Sequence, residues 1–352
     1  MEQVTVNIDG KEIVTSSDST ILEAAKQSGI RIPSLCYEER MEPYGACRIC
    51  LVEVEGARGL LPGCYTTVTD GMVVHTNTEQ LRRIRKTIIE LLLSDHPQDC
   101  MTCESGGQCE LQDLAYEYGV KEARFKGEQH HYDVLEDNPL IERDYDKCIL
   151  CGRCIRICRE VQGVGVYDFV NRGFDAVPGT PYGKGMQDTP CEFCGQCVST
   201  CPTGALTSVM SKGKGRGWQV EKVRTTCAYC GCGCQLDLHV RDGEIVEVSS
   251  PVMVGAGQGN LCVKGRYGYG FVNHEDRLTK PLIRKDGELV ETTWDEALWV
   301  IADRMNKAIS EDGPDSVAFL SSARCTNEEN YLLQKLARAG VGTNNVDHCA
   351  RL

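Results

Sequence analysis

The chain opens on a strict alternation of apolar and polar side chains. In "VTVNI" (4–8) every second residue is apolar, "EIVT" (12–15) follows with Ile13 and Val14 together, and "DGK" between them is a turn signal, so a β-hairpin is expected. The period then changes. "STILEAAKQSG" (19–29) puts Ile, Leu and Ala at helical spacing, with Ser19 or Thr20 as cap and Gly29 as stop. Residues 1–80 otherwise read as mostly strand, and "TEQLRRIRKTIIELLLS" (78–94) is the strongest amphipathic helix of the chain. Residues 111–147 are polar and mixed, and read as a link between modules. "SKGKGRG" (211–217) reads as a basic, glycine-rich flexible hinge.

From about residue 290 helix and strand alternate. Thr293-Trp294-Asp295-Glu296 has the sequence of a capping box opening the helix "WDEALWVIADRMNKAI". "SVAFLS" (316–321) reads as a buried strand, and "NEENYLLQKLARAG" as a second helix stopped by Gly340. A helix–strand–helix run begins an α/β domain, and one strand cannot bury two helices by itself. The fold class is therefore α+β and modular.

Composition narrows this. The chain has 352 residues, enough for two or three domains, with 41% hydrophobic and 25% charged residues and a net charge of −13. An acidic surface repels nucleic acid, and the acidic residues are spread rather than run in blocks. No apolar stretch is long enough for a membrane span, and "MEQVTVNIDGKEIV" lacks a secretory or twin-arginine pattern, so a cytoplasmic location is expected. In a reducing compartment its 22 cysteines read as thiolate ligands rather than as a disulfide framework.

Their spacing is the most specific signal. "CILCGRCIRIC" (148–158) recurs as "CEFCGQCVSTC" (191–201), every Cys and the central Gly displaced by 43 positions. Each run has the C-x2-C-x2-C-x3-C spacing of two-cluster bacterial ferredoxins, in which the fourth Cys serves the other cluster. One [4Fe-4S] site would then take Cys148, Cys151, Cys154 and Cys201, and the other Cys191, Cys194, Cys197 and Cys158. Pro202 follows the second run as that pattern expects, whereas Arg159 stands after the first. Zinc competes for paired cysteines, but an interleaved repeat is not a zinc pattern, and no zinc site is expected.

Three further constellations gain meaning by resemblance. "CYEERMEPYGACRICLVEVEG" with a lone downstream Cys resembles the β-grasp [2Fe-2S] domain of complex I large subunits and of related hydrogenase and formate dehydrogenase chains. That implies Cys36, Cys47, Cys50 and Cys64 as ligands. "ELLLSDHPQDCMTCESGGQCELQ" is similar to the segment that these families use for a [4Fe-4S] cluster with one histidine ligand, implying His96, Cys100, Cys103 and Cys109. A neutral imidazole leaves such a cluster one negative charge lighter, which raises its potential. "CAYCGCGC" (227–234) with "NLCVKGR" (260–266) resembles the N-terminal [4Fe-4S] domain of molybdopterin oxidoreductases, particularly formate dehydrogenases. Read as C-x2-C-x3-C, its ligands are Cys227, Cys230, Cys234 and Cys262, with Cys232 able to substitute for a neighbour. In that family a lysine two residues after the last Cys bridges cluster and pterin, and Lys264 matches it.

"EDRLTKPLIRKDGELVETTWDEAL" resembles the same superfamily's entry into its pterin-binding domain, where "SSARCTNEENY" would lead a loop into a helix N-terminus suited to a dinucleotide phosphate. Cys325 and Cys349 have no ligand partners and are expected to be ordinary buried thiols. His75, His130, His131, His239, His274 and His348 lack ligand spacing. The implied organisation is a β-grasp [2Fe-2S] ferredoxin (1–80), a His/Cys3 [4Fe-4S] helical module with linker (81–140), a two-cluster bacterial ferredoxin domain (141–213), a molybdopterin-oxidoreductase [4Fe-4S] domain (220–278) and the start of an α/β pterin-binding domain (279–352).

The resemblance as a whole is to the N-terminal part of a formate dehydrogenase catalytic subunit of the molybdenum/tungsten bis-pterin superfamily. It implies one [2Fe-2S] and four [4Fe-4S] clusters, with molybdenum or tungsten on two molybdopterin guanine dinucleotides in the complete protein. It also implies formate and CO2 as substrates, and flavin- and NAD-binding or ferredoxin-linked partner subunits. In formate dehydrogenases a stretch similar to "NNVDHCARL" leads into a metal-ligating cysteine or selenocysteine. That catalytic residue is expected directly after Leu352, at a UGA codon read as stop, so no catalytic residue is expected within this portion and it is not expected to oxidise formate alone. Two alternatives share the front half: a complex I large subunit or hydrogenase-related chain, and a non-catalytic electron-transfer subunit that never binds pterin.

Overall fold

The computed structural model describes residues 2–349. The expectation about the position after Leu352 lies outside them. Two compact units are present, one running through Glu221 and the other from Lys222. The architecture is mixed α/β. Among the described residues no helix is long and apolar enough to cross a membrane.

In the first unit the alternation at the N-terminus becomes β1 (Gln3–Ile8) and β2 (Lys11–Ser16), paired antiparallel, with Val4, Val6, Ile8 and Ile13 inside. Thr20 caps α1 (Ile21–Gln27) in a full capping box with Glu23, and so decides between the two candidate caps. β3 (Leu51–Val54), β4 (Leu61–Pro62) and β5 (Val73–His75) complete a five-stranded sheet of order β2-β1-β5-β3-β4, in which β1 and β5 run parallel. Thr78 caps α2 (Glu79–Ser94), which buries Leu81 and Ile89. Each such side chain contributes about 1.5–3 kcal/mol when fully buried.

Residues 111–147 differ from the expectation of a plain link. α3 (Glu110–Glu117) packs Leu111 and Leu114 into a core with Leu35, Ile49 and Ile89. Beyond it, β6 (Ile141–Arg143) pairs antiparallel with β9 (Leu206–Ser208), framing the hairpin of β7 (Asp168–Val170) and β8 (Val177–Gly179). Helices α4 (Arg153–Arg156) and α5 (Gln196–Thr200) carry the two cysteine runs.

The expected hinge at 211–217 is tied down. Arg216 donates to the carbonyls of Met101 (2.8 Å) and Cys103, Lys212 pairs with Glu136 (3.2 Å) and Glu142, and the Gly213 amide donates to Glu104. Its basic residues are held by acceptors far away in sequence, which local composition does not reveal.

The second unit starts with a three-stranded sheet, β10 (Glu221–Thr226), β11 (Gln235–Arg241) and β12 (Glu244–Ser249), followed by α6 (Val263–Tyr267). A hairpin of β13 (Leu282–Lys285) and β14 (Glu288–Glu291) precedes α7 (Trp294–Asp312). Only half of the expected capping box forms there: Thr293 accepts from the Glu296 amide, but the Glu296 carboxylate turns to Lys285 and Thr292. β15 (Phe319–Ser321) is not the buried strand expected, for Leu320 is 81% exposed in a two-stranded sheet with little to cover it. α8 (Asn327–Lys335) runs on through a π-helical turn and ends at Gly342, left-handed at φ 89°, rather than at Gly340. A second strand, β16 (Val346–His348), then pairs parallel with β15, closing a β–α–β unit.

Candidate metal centres

The hairpin β3–β4 builds the first site. Leu51 lies opposite Pro62, so Cys50, just before β3, and Cys64, just after β4, are brought side by side. Cys36 and Cys47 join them from the loop of 36–50, where Gly45 and Arg48 have left-handed backbones. Three of the four thiols are fully buried. They share protons: hydrogen bonds from Cys47 and Cys64 hold Cys36 low, that from Cys64 holds Cys50 low, and the two donors are pushed up. Amides of Leu35 and Cys47 point at the sulfurs of Cys47 and Cys36. Buried thiols crowded against one another, with amides aimed at them, suit ligation of a cationic core.

The second site follows the end of α2. His96 is 9% exposed, and its Nδ1 is buried with no hydrogen-bond partner. Burial lowers its pKa, so the ring is neutral, the form that ligates metal. A buried, neutral, orphaned imidazole nitrogen four residues before Cys100 fits a fourth ligand to Cys100, Cys103 and Cys109. Burial pushes Cys109 up to about 11. The loop is packed tightly around these sulfurs: a Cβ on Gly106 would meet the Cys100 carbonyl at 2.6 Å, and one on Gly204 would meet the Cys103 sulfur at 2.6 Å.

The internal repeat is visible in the backbone. Leu150 and Phe193 have φ of 53° and 51°, and Gly152 and Gly195 have 72° and 69°. The Leu150 amide donates to the Cys148 sulfur at 3.4 Å and the Phe193 amide to the Cys191 sulfur at 3.3 Å. Two cavities result. One is lined by Cys148, Cys151, Cys154 and Cys201. The other is lined by Cys191, Cys194, Cys197 and Cys158. The last cysteine of each run thus faces the other run's cavity. Where Pro202 ends the second helical run, Arg159 leaves an amide in place, and the first continues as a π-helix over Ile157–Val161. Burial pushes Cys148 and Cys151 up to about 12, a cost that coordination as thiolates would offset.

In the second unit the loop 227–234 joins β10 to β11, with the Cys227 amide donating to the Cys234 carbonyl at 2.8 Å. Cys262 caps α6. A Cβ on Gly257 would stand 3.2 Å from the Cys234 sulfur, and one on Gly265 3.6 Å from that of Cys227, so glycine lets both segments lie against the thiols. Cys230, Cys232 and Cys262 are exposed, and the Cys232 sulfur is 3.5 Å from that of Cys234. Lys264 is exposed on α6. Cys325 and Cys349 are exposed, not buried as expected, because both lie at the carboxyl ends of the parallel pair β15 and β16 rather than in a core. There the Cys349 sulfur meets the Ser322 hydroxyl at 3.3 Å, a hydrogen bond that lowers the thiol's pKa. The first turn of α8 already holds Glu328 and Glu329, with Thr326 and Glu329 capping each other, so its positive end is partly satisfied.

Among the described residues no three His, Cys, Asp or Glu side chains converge as they would on a single metal ion. The cysteines stand around spaces instead. Sequence reasoning missed the buried arginines around them. Arg153 donates to Glu110 (2.6 and 3.0 Å) and to the carbonyls of Tyr37 and Thr200, and Arg156 donates to that of Cys36. Nothing in the local pattern marks an arginine between two cysteines as buried.

Family descriptions match the chain in five blocks. They are a 2Fe-2S iron–sulfur cluster binding domain (1–79), the NADH-ubiquinone oxidoreductase-G iron–sulfur binding region (85–124) and the ferredoxin-like domain of NADH-quinone oxidoreductase subunit 3 (138–207). The molybdopterin oxidoreductase Fe4S4 domain (220–274) and molybdopterin oxidoreductase (277–352) follow. The chain thus joins 2Fe-2S and 4Fe-4S domains like those of NADH dehydrogenase G subunits to molybdopterin oxidoreductase domains. It is similar to the NADPH-Fe(3+) oxidoreductase subunit alpha of Geobacter sulfurreducens, 40% identical over 99% of this chain and 40% of that protein. A Staphylococcus aureus protein, named only provisionally as a formate dehydrogenase, is 31% identical over 99% of this chain and 39% of its own length. The chain therefore spans about two fifths of the curated relatives it matches. Among solved structures it is similar to a chain of an NAD+-reducing [NiFe]-hydrogenase in the H2-reduced state, at 30% identity and a TM-score of 0.57, covering 60% of this chain and 90% of that one.

Proposed function

We propose that the chain is the electron-conducting portion of a formate dehydrogenase, relaying electrons through one [2Fe-2S] and four [4Fe-4S] centres. The ligand sets are Cys36, Cys47, Cys50, Cys64; His96, Cys100, Cys103, Cys109; Cys148, Cys151, Cys154, Cys201; Cys191, Cys194, Cys197, Cys158; and Cys227, Cys230, Cys234, Cys262. The single observation that carries the relay is the pair of cavities in which Cys158 and Cys201 are exchanged between the repeats. Formate as substrate is supported by the molybdopterin oxidoreductase blocks together with the Staphylococcus aureus relative.

Oxidising formate to CO2 releases two electrons and a proton, and a pterin-bound molybdenum or tungsten supplies that two-electron chemistry when present. The loop 322–326, at the carboxyl edge of β15 and β16, is where an α/β sheet offers a cofactor its crevice. Lys264, two residues past Cys262, would bridge the nearest cluster and the pterin. Thiolate-held clusters change charge by one electron at a time, so this chain's part is to split the pair and pass it to a partner. A flavin- and NAD-binding partner is supported by the NAD+-reducing hydrogenase to which the chain is similar.

A second reading is favoured by one observation, the 40% identity to an NADPH-Fe(3+) oxidoreductase subunit. In it the same centres relay electrons from NADPH and formate plays no part. The test is anaerobic purification of the complete protein with its partner subunits, assay of molybdenum, tungsten and pterin, and the bleaching of cluster absorbance on addition of formate or NADPH. Bleaching by formate in metal- and pterin-loaded protein is expected. Bleaching by NADPH alone, in protein free of pterin, would replace the first reading with the second.

A further inference from the structure

Among the described residues two arginines of the first unit are buried with no carboxylate at ion-pair distance. Arg85, 2% exposed on α2, donates to the carbonyls of Ile49 (3.0 Å) and Leu51 (2.7 Å) and to the Tyr118 hydroxyl (3.2 Å). Arg156, 4% exposed at the end of α4, donates to the carbonyl of Cys36 itself (2.6 Å) and to that of Glu42. Its guanidinium lies 5.0 Å over the ring of Tyr44. The neighbouring Arg153 and Arg159 pair with Glu110 and Glu160. Arg85 and Arg156 have no carboxylate at ion-pair distance among the described residues; their acceptors are carbonyls and a phenol.

An unpaired guanidinium in a protein interior is costly unless a negative charge shares that interior. The acceptors show where the charge is to be sought. Ile49 and Leu51 flank Cys50, and Cys36 is itself one of the four cysteines of the β-grasp site. Both guanidiniums therefore grip the backbone that carries these thiols, one beside Cys50 and one at Cys36. A core of two ferric irons and two sulfides on four thiolates carries two net negative charges. Two guanidiniums neutralise it.

We propose that Arg85 and Arg156 are the counter-charges of the [2Fe-2S] centre, leaving the oxidised site neutral and raising its reduction potential. The inference rests on the reading that Cys36, Cys47, Cys50 and Cys64 hold that core. Both are positioning residues, acting through the carbonyls of Ile49, Leu51 and Cys36, not ligands. Their role accounts for an arginine inside the buried face of the chain's most amphipathic helix, where a leucine would otherwise pack.

The test is an EPR-monitored redox titration of the [2Fe-2S] signal in the anaerobically reconstituted full chain, for wild type, Arg85→Met, Arg156→Gln, Arg85→Lys and Arg156→Lys. Each neutral variant is expected to move the one-electron reduction equilibrium about tenfold toward the oxidised form, which is about 59 mV. The lysine variants stay within about threefold of wild type, because charge is what matters. Neutral variants that load the centre and titrate with wild type overturn the proposal, as do lysine variants that shift as far as the neutral ones. A neutral variant that fails to assemble the centre is read from its iron-free thermal midpoint. A midpoint within about 2 °C of iron-free wild type supports the counter-charge, and a larger fall shows a packing role and overturns it. Absence of any [2Fe-2S] signal in wild type removes the ligand reading and the proposal with it. A wild-type signal indifferent to both arginines removes the proposal alone.

Discussion

Gly204 is the position where one added methyl group tests the second site most sharply. It follows Cys201, Pro202 and Thr203 and lies against the loop of Cys103. A Cβ there would stand 2.6 Å from the Cys103 sulfur, 3.4 Å from Lys147 Cδ and 3.5 Å from Ser105 Oγ. The lysine and serine tips can yield. The sulfur cannot without moving a proposed ligand, since Cys103 is 9% exposed and its loop is pinned by Gly106 donating to its carbonyl at 3.0 Å. Overpacking of this kind costs about 1–3 kcal/mol. Concentrated on one ligand, that is roughly a 5- to 150-fold loss in the stability of the His96 centre, and roughly a 2–12 °C fall in the thermal midpoint of the loaded chain. Gly204→Ala should therefore lose the EPR signal of that centre first when the protein is challenged with an iron chelator, while the two ferredoxin centres persist. Gly59→Ala is the control, as nothing stands within 4 Å of a Cβ there. Retention of the His96 centre in Gly204→Ala at the wild-type rate, with an unchanged midpoint, would show that Cys103 is not crowded as a ligand there.

Three further outcomes are expected. His96→Cys replaces a neutral ligand by a thiolate, so the His96 centre should become harder to reduce by about tenfold, about 59 mV; an unchanged potential in a loaded variant would show that His96 is no ligand. Burial works against the charge on His130, but the Asp95 carboxylate at 2.6 Å and the Phe174 carbonyl at 2.7 Å win and raise its pKa. A raised histidine stabilises the fold below its ordinary pKa and loses that contribution as pH rises through the folded value, so His130→Asn should lower the thermal midpoint more at about pH 5.5 than at about pH 8.5; equal losses would contradict the pair. In iron-loaded protein, iodoacetamide followed by mass spectrometry should label Cys232, Cys325 and Cys349 fast, because all three are exposed and none is a proposed ligand; rapid labelling of Cys230 in place of Cys232 would exchange their roles.

The proposed cluster cysteines stand out in the sequence because a compact inorganic core needs its ligands in short, repeated loops, and spacing survives in sequence where packing does not. The lining of each cavity by the other run's last cysteine follows the two-cluster ferredoxin spacing read in the repeat. Two local caps were legible as well, because a hydroxyl before an apolar-periodic run is a local signal: Thr20, one of two candidates, and Thr293 cap the helices that follow them. What depended on distant partners was not. Arg85 reads as one polar position in an amphipathic helix, and only the fold shows that it points inward to Ile49 and Leu51. Arg216 reads as part of a loose hinge, yet its guanidinium holds the carbonyls of Met101 and Cys103. Gly340 and Gly342 are two residues apart, and the choice of stop turned on a π-helical turn that no propensity signals. Cys325 and Cys349 look like core thiols by residue type, but the parallel pair β15–β16 leaves them at an exposed edge.

Whether this chain is a five-centre conductor is decided by iron and acid-labile sulfide analysis with Mössbauer and EPR spectra of the anaerobically purified chain. About 18 iron and about 18 sulfide per chain are expected, with spectra of one [2Fe-2S] and four [4Fe-4S] centres. Iron that stays near half that amount after full reconstitution, or zinc bound by the cysteines of 148–201, would contradict a five-centre conductor.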